Sequence, residues 1–158
     1  MKSITATLIS LLALTSSTLG APVEAEEATA AAGQTISVSY DQKYDVGASS
    51  LTTVACSDGD NGLMSRGYTN FKSLPSFPRI GGAPTVNGWN SPNCGKCYKI
   101  EYSNPHYQNT IFVTAVDAAP GGFNLGLNAM NLLTNNRAVE LGRVNAVYSE
   151  ADPSKCGL

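Results

Sequence analysis

Histidine is nearly absent from this chain of 158 residues, which carries only His106. A serine–histidine–aspartate triad would rest wholly on that residue, and no Gly-x-Ser-x-Gly elbow accompanies it. One imidazole without partners cannot hold zinc either. Cysteine is sparse, and Cys94-Gly-Lys-Cys97 has no second Cys-x-x-Cys to complete a zinc site. The βαβ setting of a thioredoxin-like redox motif is also missing. No metal and no cofactor is therefore expected. Charge is scarce as well: Asp, Glu, Lys and Arg make up 14% of the chain, against a typical figure of about 25%. No apolar run approaches the roughly 20 residues that span a bilayer, so no membrane span is expected. Internal repeats, low-complexity tracts and Asn-x-Ser/Thr sequons are absent from Gln34 onward.

What is present at the start sets the compartment. Lys2 precedes a short apolar tract, Ile4 to Leu14, and small residues follow at Gly20-Ala21. A cationic start, an apolar core and a small-residue cut site predict a secretory signal peptide over residues 1–20. Residues 21–33 are rich in Ala and contain Glu24, Glu26 and Glu27, with no bulky apolar residue beyond Val23. Such a segment buries too little surface to offset its ordering entropy, so it reads as an acidic pro-segment or disordered tail. One folded domain is expected over residues 34–158, a common domain size.

Within that domain the charges balance. Of 10 basic residues, losing Lys2 leaves nine; of 12 acidic residues, losing three Glu also leaves nine. Zero formal charge gives no drive toward nucleic acid or an anionic membrane surface. The surface must be covered mainly by neutral polar groups, which suits ligands such as sugars. Four cysteines (Cys56, Cys94, Cys97, Cys156) in an exported chain predict two disulfides, with three connectivities open.

The chain is organised around Gly88–Cys97, which holds the one Trp (Trp89), two cysteines and the turn-forming Asn-Ser-Pro-Asn run. Before it, Ile36–Tyr40 alternates apolar and polar residues and Leu51–Cys56 is β-branched; both read as strands, joined by a polar loop. Asp58–Gly62 lacks the spacing and the closing Glu of a calcium loop and reads as a tight turn. Tyr68 to Ile80 is expected to be loop-rich, its aromatics packing locally. Cys97–Tyr102 and Ile111–Val116 predict an antiparallel hairpin around an exposed His106. Asn124 is expected to cap a short helix carrying Leu127, Met130 and Leu133 on one buried face, stopped by Asn135-Asn136. A further helical turn at Arg137–Leu141 should end at Gly142, before a last strand over Val144–Tyr148.

Among the carboxylates Asp117 stands out, because an apolar strand delivers it to the Gly-rich segment ending at Gly122. Glycoside hydrolysis ordinarily needs two carboxyl groups roughly 5–10 Å apart. Asp41, Asp45, Asp58, Asp60 and Glu101 lie at turns or on an exposed face, and nothing in the sequence pairs one of them with Asp117. A single placed Asp points to binding rather than catalysis.

Several stretches, taken in order, resemble the cerato-platanins, a family of small secreted fungal proteins. They are Val38–Asp41, Ser50–Gly59, Asn61–Leu63, Ile80–Gly82, Gly88–Cys97, Ala115–Asp117, Gly122–Asn131, Ala138–Val144 and the terminal Cys156–Leu158. The resemblance implies a mainly β fold with short helices, a six-stranded double-psi β-barrel shared with expansins. It implies pairings Cys56–Cys94 and Cys97–Cys156. It also implies a secreted, non-enzymatic, expansin-like protein that binds N-acetylglucosamine (chitin-type) oligomers or other cell-wall polysaccharide, self-associates at interfaces and elicits plant defence at the host surface. Asp117 matches the Asp shared with expansins, and Asn124 matches a groove Asn of the family. The acidic segment before Gln34 and the length of the Asn104–Asn109 turn depart from the family pattern.

Three functions follow as expectations. The first is carbohydrate binding by Asp117 and Asn124, with Trp89 and Tyr68 as ring-stacking surfaces. The second is weak glycoside hydrolysis or transglycosylation through Asp117. The third is a surface-active protein assembling through Tyr68, Phe71, Phe77 and Tyr107 if these are exposed, on a surface separate from the sugar site.

Overall fold

The computed structural model describes residues 33–158; the expected signal peptide and nearly all of the acidic segment lie outside them. Six strands close into a barrel in the order β1-β5-β2-β4-β3-β6. They are β1 (Gln34–Tyr40), β2 (Ile80–Ala83), β3 (Cys97–Ser103), β4 (Gln108–Ala118), β5 (Phe123–Leu125) and β6 (Arg143–Ala151). Pairs β1–β5 and β2–β4 are parallel and the remaining pairs antiparallel. This closed, mixed barrel with few short helices is the fold class expected from the resemblance.

The alternating tracts behave as their period dictates. Val38, Ile100, Ile111, Val113 and Val144 point into one apolar core together with Leu125 and Phe123. Tyr98, Phe123 and Tyr148 meet edge to face, with ring centroids 5.1 to 6.1 Å apart. Helix α1 (Leu127–Thr134) seals one side of the barrel with fully buried Met130 and Leu133. Asn135 and Asn136 end it in left-handed conformation, and α2 (Ala138–Leu141) stops at Gly142.

Three sequence expectations give way. Leu51–Cys56 is no strand: Leu51–Thr53 forms a 3-10 turn, because Ser50 accepts the Thr52 N–H and Leu51 plugs into the core. The presumed polar loop after β1 holds another 3-10 turn, Gln42–Asp45, which buries Tyr44. Asn124 does not cap α1. It lies on β5, and the helix N-terminus is capped from a distance by Asp45, whose carboxylate accepts the N–H groups of Leu127 (2.7 Å) and Asn128 (3.0 Å). Two carboxylate oxygens satisfy two of the orphan N–H groups that any helix start presents, so the chain needs no local cap there.

Disulfides join Cys56 to Cys94 and Cys97 to Cys156, the pairing implied by the resemblance. The aromatics between Gly67 and Ile80 are mostly interior. Phe71 is buried, while Tyr68 and Phe77 pack against the core. Phe71 is therefore unavailable to the assembly surface considered above, whereas Tyr68, Phe77 and Tyr107 are half-buried. The large apolar side chains that do face water are Val46, Trp89, Leu132, Val139 and Val147. No helix among the described residues is long and apolar enough to cross a membrane.

Candidate functional site

Strand register assembles a polar row across five of the six strands. Arg143 on β6 pairs with Ser39 on β1, Ser39 with Asn124 on β5, Asn124 with Gly82 on β2, and Gly82 with Asp117 on β4. Residues opposite one another on neighbouring strands project to the same side of a sheet. Four strand spacings make the row roughly 19 Å long. Alternation dictates its polarity: Val38, Phe123, Leu125 and Val116 next to the row's members fill the core, so Arg143, Ser39, Asn124 and Asp117 point away from it, while Gly82 is buried beneath Ala119 and Tyr44.

Asp117 anchors one end. Its Oδ1 accepts the backbone N–H groups of Ala55 (3.0 Å) and Ala118 (2.9 Å). Its Oδ2 accepts the Tyr44 hydroxyl at 3.0 Å and the Lys43 ammonium at 3.2 Å. The side chain is only 16% exposed, and burial alone would raise its pKa. The Ala55 N–H, Lys43, Tyr44 and Ala118 outweigh that penalty and hold the carboxyl below its ordinary value. Burial, reinforced by the Asp117 charge, pushes the Tyr44 phenol up, so it remains a proton donor. Lys43 also lies over the Tyr44 ring, 4.7 Å from its centroid. Gly82 makes this cluster possible, since a Cβ there would stand 2.9 Å from the Ala119 side chain and 3.3 Å from the Tyr44 hydroxyl.

The other end is concave. Ser39, Asn124, Arg143 and the Ala119–Gly122 turn line a cavity of about 190 Å³. The Ser39 hydroxyl donates to Asn124 Oδ1 at 3.2 Å, which leaves the Asn124 amide NH₂ as a donor to an incoming group. No Asp or Glu lines this cavity.

The four predicted contact residues separate into two regions. Asp117 and Asn124 flank Gly82 on adjacent strands. Trp89 and Tyr68 belong to the disulfide-tied loops. Trp89 is 65% exposed and donates its Nε1–H to Asp58 Oδ1 at 2.6 Å, a contact that lowers the Asp58 pKa. Tyr68 lines a separate apolar cleft with Pro92, Pro153 and Leu158. Sequence reasoning missed Lys43, Tyr44, Ser39 and Arg143. Asp41-Gln-Lys-Tyr44 offered one clue, because Asp at a cap position followed by a Tyr is a turn that can bury an aromatic; the remaining partners exist only through register.

Comparison with known proteins adds the family. The cerato-platanin family model matches residues 36–158. The chain is 58% identical over 149 residues to "Allergen Asp f 15" of Aspergillus fumigatus, covering 94% of this chain and 93% of that one. It is 41% identical over 127 residues to "Cerato-platanin" of Ceratocystis fimbriata f. sp. platani, covering 80% and 90%. Among solved structures, cerato-platanin 1 from M. perniciosa superposes with a TM-score of 0.74 at 47% identity, over 77% of this chain and 98% of that one. The solution structure titled "the fungal elicitor Cerato-Platanin" superposes with a TM-score of 0.64 at 42% identity, over 77% and 96%. On the matched motif order, the closed barrel and these relatives, the chain belongs to the cerato-platanin family.

Proposed function

We propose that this chain is a secreted, non-catalytic, expansin-like carbohydrate-binding protein that lays an N-acetylglucosamine oligomer along the row from Lys43 to Arg143. The observation that carries the reading is the in-register alignment of Ser39, Asn124, Gly82 and Asp117 across four strands. Rigid strands fix such groups more firmly than loops do, which lowers the ordering cost of binding a flexible sugar. Asn124 presents its amide N–H to acetamido carbonyls, and Lys43 retains N–H donors for hydroxyl oxygens. Asp117 has about four acceptor sites and spends them on the protein, so its part is to position Lys43 and Tyr44.

Catalysis is the weaker reading on the same geometry. A glycosidase acid is held protonated by a raised pKa, whereas Asp117 is shifted the other way. The cavity beside Asn124 offers no second carboxylate. Secretion rests on the leader expected over residues 1–20 and on the two disulfides. By extension from the relative titled a fungal elicitor, the protein acts as an elicitor. Self-association falls to the exposed apolar side chains Trp89, Leu132 and Val139.

Titration of the ¹⁵N-labelled protein with a chitin oligomer tests the reading. Shifts should centre on Ser39, Gly82, Asp117 and Asn124. Shifts confined to Trp89 and Tyr68, or none at millimolar sugar, would reject the row as the site.

A further inference from the structure

The cavity at the Arg143 end has a donor excess that a neutral sugar leaves unused. Arg143 donates Nη1–H to Ser37 Oγ at 2.6 Å, which fixes the guanidinium in place, and no acid among the described residues forms an ion pair with it. Lys43, at the opposite end of the row, is instead neutralised by Asp117. Beside Arg143 stand the Asn124 amide NH₂, freed by the Ser39 bond, and the Gly121 N–H, which has no protein acceptor among the described residues. Gly121 itself has open space around its Cα, so a ligand can approach its backbone closely. Three kinds of donor, one of them charged, therefore line about 190 Å³, and the one side-chain amide oxygen there, Asn124 Oδ1, is already engaged.

A guanidinium with free N–H groups matches a planar carboxylate, which accepts two parallel hydrogen bonds. We infer that this cavity is a subsite for the carboxylate of an acidic sugar, a uronic acid residue, at one end of a bound oligosaccharide. The inference rests on the carbohydrate-binding reading of the row and adds a charge preference to it. Chains that place a uronate against Arg143 and neutral hydroxyls toward Lys43 fit the row's electrostatics, since the Lys43 end is charge-balanced and the Arg143 end is not.

Binding of a galacturonic acid trimer, compared with the same trimer after reduction of its carboxyls to alcohols, tests this at low salt. The acidic trimer should bind about fivefold more tightly, the scale of one exposed ion pair. Its amide shifts should centre on Gly121, Gly122 and Asn124. Arg143→Gln should erase the preference, bringing the affinity for the acidic trimer to that for the reduced one. Arg143→Lys, which keeps the charge on a less matched head group, should retain part of it. Lys72→Gln, which removes the same charge from an exposed turn elsewhere, should retain all of it.

Equal affinity for the two trimers in the unmodified protein overturns the subsite, as does a preference that survives Arg143→Gln or disappears equally in Lys72→Gln. If a chitin oligomer shifts Ser39 and Asn124 while the uronate shows no advantage, only the subsite fails. If the uronate binds at Gly121 and the chitin oligomer does not bind, the subsite stands and the chitin reading fails. Absence of shifts from every sugar overturns both.

Discussion

The polar row and the Cys56–Cys97 loops are built by opposite means. In the row, backbone pairing sets every position, and no covalent link ties its members together. In the loops, Cys56–Cys94 closes 38 residues in which β2 is the only strand, and Cys97–Cys156 fastens the terminal turn to the start of β3 across 59 residues. Trp89 sits in the second region with one side-chain partner, Asp58, and most of its surface in water. Asp117 sits in the first with four partners and little exposure. A rare residue beside cysteines thus marks a cross-linked, exposed loop, while an ordinary Asp at a strand end marks the ordered polar surface.

The comparison can be broken from either side. The largest effect should follow Cys97→Ser with Cys156→Ser. Opening a 59-residue loop is expected to cost about 4 kcal/mol of stability by the loop-entropy model, measured as a lower denaturant midpoint at unchanged m. A cost below about 1 kcal/mol would show that the loops are held by packing instead. Gly81→Ala comes next. Its Cβ would lie 2.4 Å from the Asn124 carbonyl oxygen and 2.9 Å from Leu125 Cα, both backbone atoms with little room to yield. A loss of about 3 kcal/mol is expected, the upper end for overpacking, and the Asn124 amide resonance should move with it.

Asp117→Asn should cost about 2 kcal/mol, since a hydrogen-bonded, mostly buried carboxylate gives way to an amide with only one acceptor oxygen. It also has a pH signature. The folded-state pKa of Asp117 lies below its ordinary value of 3.8, so its contribution is present above that value and lost as pH falls through the folded pKa. The stability difference between parent and Asp117→Asn should therefore shrink below about pH 4. A difference that stays constant down to pH 2 would sink the assignment of an ionised Asp117. Smallest is Trp89→Ala, expected to change stability by no more than about 0.5 kcal/mol and to leave sugar affinity unaltered. A large loss of affinity would move the binding surface to the loops.

Legibility in the sequence followed the same division. Periodicity revealed β1, β3 and the Met130–Leu133 face, which bury one side against the core, and apolar composition revealed β4, buried on consecutive residues, and β6. Periodicity hid β2 and β5, whose Ile80-Gly-Gly-Ala83 and Phe123-Asn-Leu125 are too short or too Gly-rich to show a period. Those two strands are the ones that bring Asn124 beside Gly82 and Gly82 beside Asp117. Leu51–Cys56 misled in the other direction: its β-branched residues carry strand propensity, but the Ser50 cap and the burial of Leu51 favour a turn. Asp117 could be singled out from its place after an apolar run. Its donors could not, because Lys43 and Tyr44 lie more than 70 positions away and meet it only after closure.

That closure has a consequence in time. Strand β1 opens the folded region, yet one of its two neighbours is β6, with Gln34 set opposite Tyr148 across 114 positions of chain. A growing polypeptide therefore exposes its first strand long before the partner that seals it exists. Cys97 likewise waits for Cys156, 59 positions later. Pairings of such long separation form slowly, because the loop must be closed before any contact rewards it. The barrel therefore closes last at the β1–β6 seam, and until β6 is present one edge of β1 has no partner strand.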